Sequence, residues 1–513
     1  MALQPLGYSY LIENCGLPAR PLAIRADLDS SVRGRDLRRQ GDQQVQAFQP
    51  NYKPDDTLAG HLQFALRYEG INLEVLALLF QRTGKYELEQ WLGNKPASIY
   101  ARRAGYLYEW LTGDKLAEKS VTSIPDRVRY TRLLDPELQF VAPDGERNSR
   151  FRVINNLPGN RDFCPLVRRT QFLNEIVAKN LREKIRKTLA SYDQDLLRRA
   201  AAYLYLKETQ SSFEVERETP SPSRAQRFAD LLRQADTKTP LTEDRLAELQ
   251  QAVVDPRFHE FTWRRQQNWV GRDHGYRKQI DFVPPRSQDV PVLMAGLLKL
   301  ADESRNWNLE QNKDEARIDP VILATLIAFG FIFIHPFMDG NGRIHRYLIH
   351  EVLANTGFTP RGIILPVSAV ILANLDNYIE ALETFSRPLR ARTVYNPDTP
   401  EVPATGNDAV YFRYFDATPQ AEFLYWSLAR TVEEDLQKEI DYLLGFDHAW
   451  AALNGMLDWP DHSLELFIRV VQQNNGMLSK TKRDSHFQWM KDEEINKAEQ
   501  VVTEAFATRN PVK

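Results

Sequence analysis

The chain has 513 residues, with 66 Lys and Arg against 69 Asp and Glu for a formal charge of −3, and 42% of its residues are hydrophobic. That length exceeds a single compact core and predicts about three domains at roughly 100–200 residues each. Near-neutral charge argues against a protein whose main task is to coat nucleic acid or an anionic membrane, although it leaves room for a local basic patch.

The first twenty residues, Met1 to Arg20, hold no basic stretch followed by an apolar run, so no secretory signal is expected. The longest apolar run, Val321 to Ile334, falls short of the roughly 20 residues that span a bilayer and reads as a buried core helix. Cys15 and Cys164 are the two cysteines, which excludes a disulfide scaffold and a thiolate zinc site of the usual four-ligand kind. A reducing cytoplasm fits this composition.

Residues 1 to about 60 are rich in Pro, Gly, Arg and Gln, and Leu62 to Leu116 then carry apolar residues at helical spacing, so residues 1–120 read as a mostly helical N-terminal unit. Over 121–165, Val128, Tyr130, Phe140, Phe151 and Val153 are separated by turn signals, which predicts a connector with short strands. From Val167 the helical signal dominates, and an amphipathic stretch from Thr170 to Glu218 ends at the Pro/Ser cluster Thr219–Ser223. Asn268–Gly271 and Gln279–Val283 flank a polar run with Asp273, His274 and Gly275 and read as a hairpin. A linker at 398–406 precedes a helical C-terminal region.

One segment concentrates chemistry: Phe333-Ile-His335-Pro-Phe-Met-Asp339-Gly-Asn-Gly-Arg343-Ile-His-Arg346. The preceding helix should stop at His335, because a residue before proline is pushed out of the α region. Gly340 and Gly342 let the backbone turn, and apolar periodicity resumes at Ile344, Leu348 and Ile349, so a second helix starts inside the loop. A glycine turn feeding a helix N-terminus is an anion site, where backbone N–H groups and the positive dipole end face a phosphate. Arg343 and Arg346, three apart, can both reach that anion. Asp339 would repel a bare phosphate and so predicts an intervening Mg²⁺. His335, with an ordinary pKa near 6.5, is then a base beside a metal-bound phosphate. Each residue alone has a structural reading as a cap, turn former or surface charge; their concentration in one short loop favours the chemistry.

This segment resembles the signature of the Fic family, His-Pro-Phe-x-Asp/Glu-Gly-Asn-Gly-Arg-x-x-Arg, and matches it at His335, Pro336, Phe337, Asp339, Gly340, Asn341, Gly342, Arg343 and Arg346. The resemblance implies a nucleotidyltransferase that moves AMP from Mg-ATP onto a Ser, Thr or Tyr hydroxyl of a protein. It further implies His335 as general base, Asp339 as the Mg²⁺ ligand, Gly340, Asn341 and Gly342 as the cradle of the α- and β-phosphates, and Arg343 and Arg346 on the β- and γ-phosphates. Phe337 is expected to anchor the core. The hairpin resembles the family's flap, which lays a target over the site by strand addition, and Trp269, Val270 and Gly271 are its candidate residues. Tyr378, in Asn374–Tyr378, resembles a residue that encloses the adenine; a core tyrosine is the alternative.

Many members are silenced by Ser/Thr-x-x-x-Glu-Gly/Asn, whose glutamate pairs with the second signature arginine. Ser9–Glu13–Asn14 fits literally. Ser212–Glu216 is preferred, because it lies in a long helical pattern and its two residues share a face, although Arg217 stands where the family has Gly or Asn. That arginine calls into question how closely the helix can approach. His345 stands where the signature commonly has glycine and would crowd the site or face solvent; it and His350 read as helix residues.

The resemblance spans about residues 200 to 390 and implies a mainly α fold: a helical Fic core with a β-hairpin flap, flanked by mostly helical N- and C-terminal regions. The core is set at 166–397, with the inhibitory helix at about 194–218 and the flap at about 266–285, and the C-terminal region at 398–513. The expected partners are ATP and a protein substrate, the chain itself included. The flanking regions could select targets or mediate self-association. The basic cluster Lys480–Arg483 reads as solvated charge, so neither nucleic acid nor membrane is expected. Rival readings keep the site with another nucleotide or phospho-donor, with removal of AMP from a modified protein, or with nucleotide binding that regulates without turnover.

Overall fold

The computed structural model describes residues 4–41, 43–275, 278–307, 309, 316–460 and 462–507, so Tyr276 and Arg277 at the flap tip lie outside the described residues. The fold is mainly α. Apart from helix Gly7–Cys15, the N-terminal segment departs from the helical expectation before residue 58. Strands Gln4–Pro5, Ile24–Leu28, Arg35–Gln40 and Gln43–Phe48 form one sheet, in which Ile24–Leu28 runs parallel to Gln43–Phe48. Their inward residues are few, Ala26, Val45, Ala47 and Phe48, while Arg35–Gln40 is a mostly exposed, charged edge. A strand that buries so little leaves little alternation to read.

Helices from Leu58 to Thr112 pack behind this sheet, and three short strands at Thr131–Arg132, Glu146–Asn148 and Val153–Asn155 follow. The main hydrophobic core then gathers helices Gln194–Val215, Glu243–Val253, Val290–Ser304, Pro320–Ile334, Asn341–Asn355 and Leu375–Arg390. At its centre runs Pro320–Ile334, apolar all round and therefore buried all round. Asp319 caps it by accepting the N–H groups of Val321 and Ile322 at 2.9 Å each, with Pro320 at the first position. Asn341–Asn355 packs along this helix.

Helix Leu436–Asn454 leaves that core through Leu436 and Ile440 and enters a second one through Ala449 and Leu453. There it meets helices Ser463–Gln473 and Asp492–Ala507. Of the basic cluster in this region, Arg483 pairs with Asp492 at the surface. Among the described residues no helix is long and apolar enough to cross a membrane.

Candidate active site

His335 terminates the central helix with φ +52° and ψ +61°, the left-handed conformation that takes the chain out of the helix ahead of Pro336. Its Nδ1 lies 3.2 Å from the carbonyl oxygen of Ile332. A carbonyl only accepts, so Nδ1 carries the ring proton and Nε2 keeps a lone pair. Burial, reinforced by the nearby Arg264 guanidinium, pushes the imidazole pKa down to about 3, so the ring is neutral at physiological pH. A neutral ring with a bare Nε2 can receive a proton.

The turn after Pro336 is held by Asn341. Its Oδ1 accepts the Phe337 N–H at 3.1 Å, and its Nδ2 donates to the Phe337 carbonyl at 2.7 Å. Asn341, read from the sequence as part of a phosphate cradle, thus braces the loop with its side chain. Phe337 is fully buried, with its ring 5.4 Å from that of Trp263. Gly340 has φ +87°, and a Cβ there would come within 2.8 Å of Val254. Helix Asn341–Asn355 begins at the next residue and points its free N–H groups back at the turn. Asp339 accepts from the Gly340 N–H at 2.6 Å and from Arg343 Nη2 at 3.0 Å, both through Oδ1. Its side chain is about half exposed, which leaves room for a cation at the other oxygen. One protein carboxylate completed by phosphate and water oxygens is a donor set that suits Mg²⁺.

Glu216 lies over this helix N-terminus. Its Oε2 pairs with Arg343 Nε and its Oε1 with Arg346 Nη2, each at 2.9 Å. A Cβ on Gly342 would collide with the same carboxylate, so the glycine is what admits it. Arg346 also donates to Ser212 Oγ (2.8 Å) and to the Ser212 carbonyl (2.5 Å). Arg343 is shared further, with Glu218 at 3.0 Å, Asp339 at 3.0 Å and the Val253 carbonyl at 2.7 Å, and its guanidinium lies over the Phe213 ring. Both arginines are almost fully buried, so their carboxylate partners act across low dielectric.

Chain geometry delivers these carboxylates. Helix Gln194–Val215 starts on an Asp193 cap and ends with Arg217 at φ +60°. The Arg217 N–H donates to the Glu214 carbonyl (2.8 Å) and the Glu218 N–H to the Phe213 carbonyl (3.1 Å), the two bonds of a Schellman turn. The residue after Glu216 must therefore be left-handed, which explains a preference there for glycine or asparagine. Arg217 adopts that conformation with its side chain exposed, and it does not keep Glu216 from the arginines.

The flap strands Val270–Asp273 and Lys278–Phe282 pair antiparallel, with a bulge between Val270 and Gly271. On the outer edge of the second strand, the Ile280 carbonyl accepts from Arg390, while Val270–Asp273 is exposed throughout. Trp269, just before it, is half-buried. Tyr378 is buried beneath Arg346, stacked toward His345 and beside Phe423. His345 does not face solvent: it is fully buried, with Nδ1 on the Ala328 carbonyl at 2.9 Å. His350 pairs with buried Glu208 at 2.8 Å, and Glu208 in turn accepts from Ser368.

The alternative Ser9–Glu13 segment is not at this site. Ser9 accepts from the Ala26 N–H, and Glu13 pairs with Arg25 at the surface. Sequence reasoning missed Glu218, Glu260 and Arg264. Glu260 accepts the Met338 N–H at 2.7 Å, and Arg264 donates to the His335 carbonyl at 2.8 Å. Glu218 had a signal, since a left-handed residue after Glu216 returns the next side chain to the same helix end. Glu260 and Arg264 sit in irregular backbone and had none.

A neutral histidine, a glycine-lined helix N-terminus, paired arginines and one open carboxylate are groups that can together hold a phosphate ester and accept a proton beside it. The family profile described as Fic/DOC matches residues 240–353. A Fido domain-containing protein of Dictyostelium discoideum is 35% identical over 119 residues, 22% of this chain and 73% of that protein. The protein adenylyltransferase Fic of Nematostella vectensis is 36% identical over 80 residues, 16% of this chain and 17% of that protein. A crystal structure of a Fic family protein from Desulfovibrio desulfuricans G20 superposes with a TM-score of 0.37 at 20% identity, covering 64% of this chain and 84% of that one. The chain belongs to the Fic/DOC family. It spans about a sixth of the length of the adenylyltransferase relatives it matches.

Proposed function

We propose that the chain is a protein adenylyltransferase that moves AMP from Mg-ATP to a Ser, Thr or Tyr hydroxyl of a protein, itself included, and that Glu216 restrains it. The observation that carries this reading is the Glu216 carboxylate on Gly342, bridging Arg343 and Arg346. An anion site closed by the chain's own carboxylate is what a restrained phosphate-transfer enzyme requires.

Chemically, the target hydroxyl oxygen attacks the α-phosphorus, its proton passes to Nε2 of His335, and the bond from the α-phosphorus to the bridging oxygen breaks, releasing pyrophosphate. The Ile332 carbonyl holds the ring in the tautomer this needs. The backbone N–H groups of Asn341 and Gly342 would meet the phosphates at the turn made by Gly340, whose own N–H is held by Asp339, and Arg343 and Arg346, once freed of Glu216, balance the charge on the leaving group. Mg²⁺ at Asp339 would neutralise phosphate charge and orient the chain of phosphates. Tyr378 lies under Arg346 and supports the arginine's position from within the core. The exposed strand from Val270, with Trp269 and Gly271 at its start, offers main-chain groups to an extended target. Unpaired Cys15 and Cys164 suit a reducing compartment such as the cytoplasm.

The test is transfer of label from α-labelled Mg-ATP, followed with intact mass, in wild type, Glu216→Gly and Glu216→Gly/His335→Ala. Label should rise with the first change and vanish with the second. No label in any of the three while ATP still binds would reject AMP transfer in favour of another donor or a regulator without turnover.

A further inference from the structure

Arg264 is buried, yet among the described residues its guanidinium makes no ion pair. All of its side-chain bonds go to carbonyls: Nε to His335 (2.8 Å), Nη1 to Gln266 (2.9 Å) and Nη2 to Pro285 (2.5 Å). Its own backbone N–H donates to the Pro336 carbonyl at 2.8 Å. Burying a guanidinium without a direct ion pair is costly; Glu260 opposes that cost through its charge, but burial outweighs it and pushes the pKa down to about 10. An apolar side chain would fill the space more cheaply, so the planar fork, which fixes three acceptors at once, is the property being used.

Those acceptors lie on three different segments. Gln266 precedes the first flap strand, Pro285 follows the second, and His335 carries the base. Neighbouring bonds tighten the same place: Gln267 Nε2 donates to the Pro284 carbonyl at 3.1 Å, Asn407 Nδ2 to the same oxygen at 2.5 Å, and Asn268 Nδ2 to the Phe337 carbonyl at 3.0 Å. The flap beyond this clasp is a two-stranded ribbon with one strand exposed throughout. A two-stranded ribbon is marginally stable by itself, so its angle is set at its base together with the Arg390 bond to the Ile280 carbonyl and the Lys278–Asp398 pair on its second strand.

We propose that Arg264 is a positioning residue, which locks both ends of the flap to the main chain of His335 and so fixes where an extended target lies relative to the base. This rests on the adenylyltransferase reading for its kinetic consequence, but the clasp is testable without it. In the 513-residue chain carrying Glu216→Gly, Arg264→Met and Arg264→Lys are compared by three measurements: hydrogen exchange of peptides covering the flap strands, Mg-ATP affinity by calorimetry, and the rate of self-modification. Displacing a reacting group by about 1 Å costs on the order of 10²-fold in rate.

Arg264→Met should raise flap exchange and lower the modification rate at least tenfold, with Mg-ATP affinity within about twofold, because no Arg264 bond reaches residues 339–346. Arg264→Lys, which keeps the charge and part of the donor set, should lie between. Flap exchange unchanged in Arg264→Met overturns the clasp. Affinity and rate falling together, with exchange rising across the whole chain, overturns positioning in favour of a structural role. If Arg264→Met does not fold, Arg264→Lys matching Arg264 in both exchange and rate overturns the fork geometry. Should the parent show no modification, the transferase reading fails, and flap exchange alone still decides whether the clasp exists.

Discussion

The molecule contains the same short pattern twice, and the two copies end their helices differently. Ser9–Glu13 and Ser212–Glu216 both lie in helices closed by a Schellman turn. In the first, the left-handed residue is Gly16, three positions beyond Glu13, and Asn14 is still helical. In the second, the left-handed residue is Arg217, immediately after Glu216. Glu13 therefore points from the body of its helix toward solvent and Arg25, whereas Glu216 caps its helix and projects off the end into two buried guanidinium groups. The literal match sits at the wrong phase of its helix end. What the glycine or asparagine of the motif encodes is the turn after the glutamate, and an arginine that accepts the same turn preserves the contact.

The largest separation between the copies should appear in activity. Glu216→Gly frees both arginines, and since a charge-assisted buried bond is worth about 1.5–3 kcal/mol, label transfer should rise roughly 10- to 100-fold. Glu13→Gly should leave it unchanged, because that pair is exposed and worth well under about 1 kcal/mol. A similar rise from both in the α-labelled ATP assay would erase the distinction.

Each copy also lies near a buried histidine, and acid should distinguish them. His345, beside Arg346 and Tyr378, is pushed down to about 3 by burial; His61, stacked on Tyr10 next to Ser9, is lowered by burial but partly compensated by Asp56 at 3.7 Å. A folded-state pKa below the unfolded value means the unfolded chain binds more protons, so stability contributed by a neutral buried histidine is lost as pH falls below about 6.5. For His345 the loss between pH 7 and pH 5 is about 2 kcal/mol. Glu69 and Glu351, raised by burial to about 8 and about 7, act with the opposite sign over the same range, so the quantity to measure is the difference between proteins. Denaturant melts at both pH values should show His345→Phe removing more of the acid loss than His61→Phe.

Much of the site was legible because its residues are bound to backbone features that sequence displays. Pro336 announces the end of the helix at His335, and the glycines announce the turn and the helix start. The network around them was not. Glu218 reaches Arg343 through a left-handed turn at a residue type that rarely takes one, and Arg264 acts through carbonyls of segments distant in sequence. The N-terminal sheet was hidden for a related reason, since its strands bury only a handful of residues and expose arginine and glutamine. Periodicity reports what a segment buries against one partner; it is silent on polar contacts gathered from several.

Glu218 provides an intermediate case. It shares Arg343 with Glu216 and Asp339, so Glu218→Gln removes one of three carboxylates and leaves the Arg346 contact intact. Basal label transfer should rise only a few-fold, about 2- to 5-fold, on the scale of a partly exposed charged bond. A rise as large as that of Glu216→Gly would move the restraint from Arg346 to Arg343.

The smallest effect tests the turn itself. A left-handed non-glycine residue costs roughly 1–2 kcal/mol, and glycine recovers that at the expense of roughly 0.5–1 kcal/mol of unfolded-chain freedom. Arg217→Gly should therefore stabilise the chain by about 0.5–1 kcal/mol, and because the turn holds Glu216 in place, it should lower basal label transfer about twofold. Gly16→Ala introduces the same left-handed strain at the other helix end, so it should destabilise by about 1 kcal/mol, with no effect on transfer once folded. Stabilisation without a change in transfer would separate the turn from the restraint, and Glu216 would then be held by its arginines alone.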